Sequence, residues 1–191
     1  MKNRYYLMRH GESEANLADL IISSPTTGCA SYGLSALGRE QARASAAASG
    51  LGPQTRVVCS DFLRTRQTAE VASVILGGAA ASLDARLRER FFGQREGLSA
   101  ANYAATWDLD DGDPSHETGG VESAVVLACR LSTVIADLEA AHKGRDILLV
   151  SHGDPLRFLQ LHQAGRPLTE HRQVRFFAPA EIRELGDVPG A

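Results

Sequence analysis

Cysteine is scarce in this chain, and long apolar runs are missing. Cys29, Cys59 and Cys129 are three cysteines in 191 residues. So odd and sparse a number excludes a disulfide-built scaffold. No Cys-x-x-Cys pair occurs, which argues against a structural zinc site. The least polar stretch, Val71 to Leu83, is nearly half alanine and glycine and too short to span a bilayer. Arg9 interrupts the first apolar run too early for a secretory leader. The expectation is therefore a cytoplasmic protein with no membrane partner. A large excess of one charge is also lacking: 20 basic against 23 acidic residues give a net charge of -3. That balance offers no global reason to expect nucleic acid as a partner, although a local basic pocket is compatible with it.

What is present is an ordinary globular composition, 43% hydrophobic and 23% charged. The length suits one domain, expected over residues 1–186 with a short tail at 187–191. Strand and helix signals alternate along it. Arg4 to Met8, Val57 to Cys59 and Asp146 to Ser151 read as strands. Ser35 to Ser49 reads as a helix opened by Ser35, with Leu37, Gln41, Ala44, Ala48 and Leu51 on one face. Phe62 to Leu76 follows, with Asp61 as its expected cap. Glu122 to Ala141 should turn Val125, Ala128, Leu131, Ile135 and Leu138 inward. Asp154-Pro155 should cap and open a further helix. Val174 to Phe177 and Glu181 to Leu185 are expected to pair as a terminal hairpin. Such alternation implies an α/β fold, a three-layer α/β/α sandwich around a mostly parallel sheet. Leu87 to Glu117, rich in charge, glycine and aromatic residues, breaks the alternation and is expected to be a small insertion over the active site.

Ligands of open α/β sheets sit beyond the carboxyl ends of the strands. The residues that follow the three main strands are Arg9-His10-Gly11, Ser60-Asp61-Phe62-Leu63-Arg64 and Ser151-His152-Gly153. They bring two histidines and two arginines to one edge. Arginine forks suit phosphate oxygens, and an imidazole beside them can act as a nucleophile or a donor. Helices opening near Ser13, Asp61 and Asp154 would add their N-termini to the same anion site. His116, His142, His162 and His171 lack such surroundings and read as packed or surface residues.

These residues resemble a known family. Leu7-Met8-Arg9-His10-Gly11-Glu12-Ser13-Glu14-Ala15-Asn16 is similar to the opening Arg-His-Gly motif of the histidine phosphatase superfamily, which includes the cofactor-dependent phosphoglycerate mutases. Five further blocks follow in the family's order: Leu34 to Ala42, Ser60 to Thr68, Leu87 to Gly97, Gly119 to Ser123, and Ser151 to Gly153. A lone Arg-His-Gly is a weak signal, whereas six ordered blocks over about residues 4–160 are a strong one. The resemblance implies that His10 is a nucleophile that becomes phosphohistidine. It implies a phosphate pocket of Arg9, Arg64 and His152, with Asn16 as a further contact. Glu89 would protonate the leaving group, and Glu12, Glu14 and Glu96 are its nearby competitors for that role. Family members usually place a polar residue and a glycine between Asn16 and Leu34; Ser23 and Ser24 occupy that region here, in a loop that departs from the pattern. The resemblance implies no metal and no cofactor.

Other phosphate chemistries find no match. No Walker lysine loop exists, and no cysteine is followed by five residues and an arginine; Arg64 falls one position early after Cys59. Asp108-Leu109-Asp110-Asp111 does not follow an apolar strand and reads as a solvated acidic turn. Within the resemblance, a hydrolase lets water take the phosphoryl group, while a mutase must return it to a bound substrate. The acidic insertion, without a paired-arginine cluster, favours a phosphatase acting on a small phosphate ester, as a monomer or homodimer. Arg90, next to Glu89, follows the mutase pattern and supports the alternative. A non-catalytic phospho-ligand binder is the third reading, and the presence of both His10 and Glu89 speaks against it. Phe91, Phe92, Tyr103 and Trp107 are either core residues or an aromatic wall of the pocket.

Overall fold

The computed structural model describes residues 1–187, so most of the expected tail at 187–191 lies outside the described residues. Its centre is a five-stranded sheet. Strands β1 (Arg4–Arg9), β2 (Arg56–Cys59), β3 (Ser82–Leu83) and β4 (Asp146–Ser151) run parallel, and β5 (Ile182–Glu184) is antiparallel, in the order β3-β2-β4-β1-β5. Side chains alternate along each strand, so every central strand feeds two cores. Tyr5, Leu7, Val58, Ile147 and Leu149 face one side, where helices α6 (Ala124–Ala141) and α7 (Gly153–Gln163) cover them with Leu127, Leu131, Leu156 and Leu159. Met8, Val57, Cys59, Leu148 and Val150 face the other. There, α3 (Ala36–Ala48) and α4 (Leu63–Leu76) supply small residues, Ala42, Ala46, Ala69 and Ala72. The chain is therefore the expected three-layer α/β/α sandwich. Short helices α1 (Glu14–Leu17) and α2 (Pro25–Gly28) follow β1, and α5 (Tyr103–Asp110) stands in the segment between β3 and α6.

Several local expectations change. The buried face of α3 is Gly38, Ala42 and Ala46, none of them in the expected set, and Leu37 is 55% exposed. The seam against α4 is built from small side chains, so size rather than hydrophobicity sets the phase. In α6, Val125 is exposed and Ala124, Leu127 and Val134 are buried alongside the expected Ala128, Leu131 and Ile135. The cap of α6 is Ser123, which accepts from the Val126 amide. Asp61 does not cap α4: the cap residue is Phe62, and Asp61 receives both forks of Arg88 at 2.8 and 2.6 Å. Nor does Asp154 cap α7, whose cap residue is His152; the Asp154 carboxylate is taken by Arg157 and Trp107. The terminal hairpin does not form. Strand β5 pairs with β1, Met8 opposite Ile182, while the Arg175 and Phe176 carbonyls accept from the Arg183 guanidinium instead of a strand partner.

Candidate active site

The strand register assembles the site. Arg9 lies opposite Ser151 in the β1–β4 pair and Cys59 opposite Val150 in the β2–β4 pair, so His10, Ser60 and His152 leave the sheet side by side. The rings of His10 and His152 meet edge-on at 5.3 Å, and His152 Nε2 lies 3.1 Å from the Ser60 hydroxyl.

The loop after β1 is fixed by contacts that explain the first sequence blocks. A Cβ on Gly11 would stand 2.3 Å from the Gly38 carbonyl oxygen, and one on Gly38 would stand 2.0 Å from the Glu12 carbonyl oxygen. Only glycine at both positions lets the His10 loop and the start of α3 approach this closely. Ser35 caps α3 and donates its hydroxyl to Glu12 at 2.7 Å, while Gln41 accepts from the Glu12 amide. Thr68 accepts from the Gly11 amide at 3.1 Å.

A cavity of about 160 Å³ opens over this edge. Arg9, His10, Asn16, Arg64 and Glu89 all line it. His10 Nδ1 lies 2.7 Å from the Gly11 carbonyl, which can only accept, so Nδ1 carries the proton and Nε2 offers its lone pair. Arg64 Nε donates to that Nε2 at 3.2 Å, and Arg64 Nη2 donates to the Ile22 carbonyl at 2.9 Å. Burial, then the charges of Arg64 and Arg9, push His10 well below the usual histidine range, so the ring is neutral. Arg9 Nε and Arg64 Nη1 are buried donors without a protein acceptor. In so tightly hydrogen-bonded a site, such donors fit an anion with several oxygens.

His152 is fully buried behind His10. Burial and then Arg64 hold it well below the usual range, so it is neutral. Asn16 is on the wall, although its side-chain oxygen is engaged in the Ser13 capping box. Ser23 and Ser24 are not on the wall. The Ser23 hydroxyl donates to Glu96 at 2.6 Å and accepts from the Phe92 amide, and Ser24 precedes α2 without a side-chain cap bond.

Glu89 stands on the wall facing the two arginines. Burial, then the Asp154 carboxylate, push it up to about 7, against the pull of Arg64 and Arg9. Its competitors are occupied elsewhere: Glu12 by Ser35, Glu14 by the Gly33 amide, and Glu96 by Ser23. The loop that carries Glu89 is held on three sides. Arg88 pairs with Asp61, Ser151 donates to the Leu87 carbonyl, and Arg130 donates to the carbonyls of Arg88 and Glu89 while paired with Glu122.

The insertion supplies the outer wall, as expected. Tyr103 and Trp107 line the cavity and stack at 5.4 Å with an interplanar angle of 8°. Phe91 and Phe92 do not line it, and Phe92 is core. Asp110 is not part of a solvated turn. It is fully buried and receives both forks of Arg90 at 2.6 and 2.9 Å, plus His116 at 3.0 Å. Sequence reasoning missed Asp154, Phe176 and Arg157. Asp154 and Phe176 line the cavity. The Arg157 guanidinium pairs with Asp154 at 2.6 Å and lies over Phe176 and Trp107. Asp154 followed the last glycine of a strand-end motif, and that position was the available signal.

Comparison with known proteins identifies a family. The matching family is described as histidine phosphatase superfamily (branch 1), and the match spans residues 5–187. A probable phosphoglycerate mutase of Proteus mirabilis is 34% identical over 175 residues, covering 89% of this chain and 79% of that protein. A glucosyl-3-phosphoglycerate phosphatase of Mycolicibacterium vanbaalenii is 32% identical, covering 86% of this chain and 76% of that protein. The solved structure of a mycobacterial glucosyl-3-phosphoglycerate phosphatase superposes with a TM-score of 0.80 at 27% identity, covering 95% of this chain and 88% of that one.

Proposed function

The chain belongs to the histidine phosphatase superfamily and is a phosphatase-type enzyme, and on that premise we propose that it hydrolyses a small phosphomonoester through a phosphohistidine formed on His10. The observation that carries this reading is the neutral His10 imidazole, with Nδ1–H tied to Gly11 and Nε2 facing Arg64 Nε, beside two buried donors without a protein acceptor, Arg9 Nε and Arg64 Nη1. A neutral nucleophile approaches a phosphate dianion without the repulsion a carboxylate would meet. The P–O bond to the alcohol breaks as the bond from His10 Nε2 to phosphorus forms. Arg9 and Arg64 stabilise the equatorial oxygens, by positioning and charge. Glu89, protonated below about pH 7, gives its proton to the departing alkoxide. As the carboxylate, it then takes a proton from the water that cleaves phosphohistidine. His152, neutral through burial and the charge of Arg64, gains a proton as the dianion arrives, since a bound negative charge opposes the effect of Arg64.

Hydrolysis is favoured over mutase chemistry by Arg90. This arginine follows the mutase pattern in sequence, but both its forks are held by Asp110 and its Nε by the Glu122 carbonyl. It is thus committed to the fold and not free to receive the carboxylate of a phosphoglycerate.

The test is covalent trapping. Brief incubation with labelled substrate should give an acid-labile, alkali-stable phosphoprotein. His10→Ala should abolish both label and turnover while circular dichroism stays unchanged. Label that survives in His10→Ala would refute the assignment.

A further inference from the structure

Beyond Arg9, His10 and Arg64, the rest of the cavity wall has a character that phosphate binding does not explain. Among the described residues on its wall, the arginines are Arg9 and Arg64, both at the His10 end. Three carboxyl residues share the wall: Glu89, Asp154 and the exposed Asp19. Behind the wall, the neighbouring guanidinium charges are already paired: Arg157 with Asp154 at 2.6 Å, and the fully buried Arg90 with Asp110 at 2.6 Å. A phosphate dianion would take up the two remaining positive charges. The alcohol half of the ester would then meet Asp19 at the rim, together with the apolar faces of Leu20, Ala100, Tyr103, Trp107 and Phe176.

We propose that the substrate is a phosphomonoester whose alcohol half is uncharged and largely apolar, and that the carboxylate of Asp19 at the rim selects against a second anion there. The inference rests on the phosphatase reading above and adds its substrate class. The physical reason is a difference in affinities. An uncharged alcohol group leaves the matched pairs as they are and gains contact with the aromatic wall. Among the described wall residues a second anion finds no further cation and lies near a like charge, whose repulsion is strongest at low salt. Asp19 suits a substitution test, because its backbone is left-handed at φ 54°, a conformation asparagine tolerates best among non-glycine residues. Asparagine also keeps an oxygen for the Ser99 hydroxyl, which donates to Asp19.

The experiment compares phenyl phosphate with 3-carboxyphenyl phosphate, whose leaving phenolates are close in basicity. With wild-type enzyme, kcat/KM for the carboxylated ester should be lower by roughly tenfold or more at low salt, and the gap should shrink as ionic strength rises. Asp19→Asn should narrow the gap at low salt by raising turnover of the carboxylated ester. If the wild type turns over both esters and the carboxylated one is used equally well or better, the substrate class is overturned while the phosphatase reading stands. A gap that persists undiminished in folded Asp19→Asn would also overturn the role given to that carboxylate. If neither ester is turned over and no phosphoprotein forms, the phosphatase reading fails and this inference fails with it.

Discussion

At the scale of single residues, the site divides labour between groups whose environments push them in opposite directions. His10 is held neutral by burial and by two arginines, and Glu89 is raised to about 7 by burial and by Asp154. These shifts predict a separable pair of mutant phenotypes. A proton donor matters in proportion to how badly the leaving group needs a proton. Glu89→Gln should therefore slow phosphoenzyme formation from an alkyl ester by on the order of 10²–10⁴. It should slow that step far less with p-nitrophenyl phosphate, which leaves as a stable phenolate. Arg64→Ala removes charge stabilisation from both and should cost both esters comparably. Single-turnover rates check this, because Glu89 also serves the second step. Equal losses in Glu89→Gln would remove it as the acid. In wild type, kcat/KM for the alkyl ester should fall as pH rises through about 7, where Glu89 loses its proton. Much of this site was legible in the sequence, since His10, Arg9, Arg64 and Glu89 each sit in a block with its own spacing. Ser23 was misplaced because a loop contact is set by tertiary partners, here Glu96 and the Phe92 amide, 73 and 69 residues away. Asp154 was read as a helix cap because cap signals are local, whereas its carboxylate is shared between Arg157, one turn on in α7, and Trp107 of α5, 47 residues away in sequence.

At the scale of elements, the insertion helix α5 is fastened to the core by buried charge. Asp110, near its C-terminal end, holds Arg90, and Trp107, one turn earlier, donates to Asp154 at the start of α7. Removing one partner of a buried pair strands the other. Asp110→Asn should destabilise the protein by roughly 3–5 kcal/mol, whereas replacing both members, as in Arg90→Met with Asp110→Leu, should recover much of the loss. The chain's one tryptophan is Trp107, so intrinsic fluorescence reports this wall directly. In urea titrations at constant pH, Asp110→Asn should show an earlier midpoint and altered native-state emission. A midpoint equal to wild type would mean that Arg90 finds another acceptor and that the pair does not hold α5. Element types were read well where period and length agree, as in β4 and α6. They were read poorly where packing overrides pattern. The buried seam of α3 consists of Gly38, Ala42 and Ala46, which look unremarkable in a hydrophobicity pattern because their role is to be small. The last strand was assigned a sequence neighbour, but its pairing with β1 at the sheet edge is a long-range choice that no local turn signal encodes.

At the scale of the whole molecule, the site's unusual protonation states must also appear in the pH dependence of folding. Stability falls with rising pH wherever the native state binds more protons than the unfolded chain. Glu89 is such a case: unfolded it titrates near 4.5, and folded it is raised to about 7. Between those values the native state holds a proton that the unfolded chain has released. The folded protein therefore bears a growing penalty as pH rises through this window, on the order of 3 kcal/mol in full. His10 and His152 act in the opposite sense. Both are depressed well below 6.5, so as pH falls below 6.5 the unfolded chain takes up protons that the native rings refuse, and stability is lost. The two effects oppose each other between about pH 5 and 6.5, and Glu89 masks part of the histidine loss. Glu89→Gln removes the mask. The variant should be more stable than wild type at pH 7.5, and that advantage should shrink by about 1.4 kcal/mol per pH unit at mid-window, one proton's worth, toward pH 5. Its own stability should consequently decline more steeply with acidification than that of wild type. Glu139 and Glu181, held near 2, stay ionised in the native state throughout this range and do not contribute to the difference. Urea unfolding of the two proteins at half-unit steps from pH 5 to 7.5 measures it. A stability difference that does not change with pH would show that the Glu89 carboxyl titrates normally in the folded protein. In that case it would be ionised at neutral pH, and the proton delivered to the leaving group would have to come from another residue.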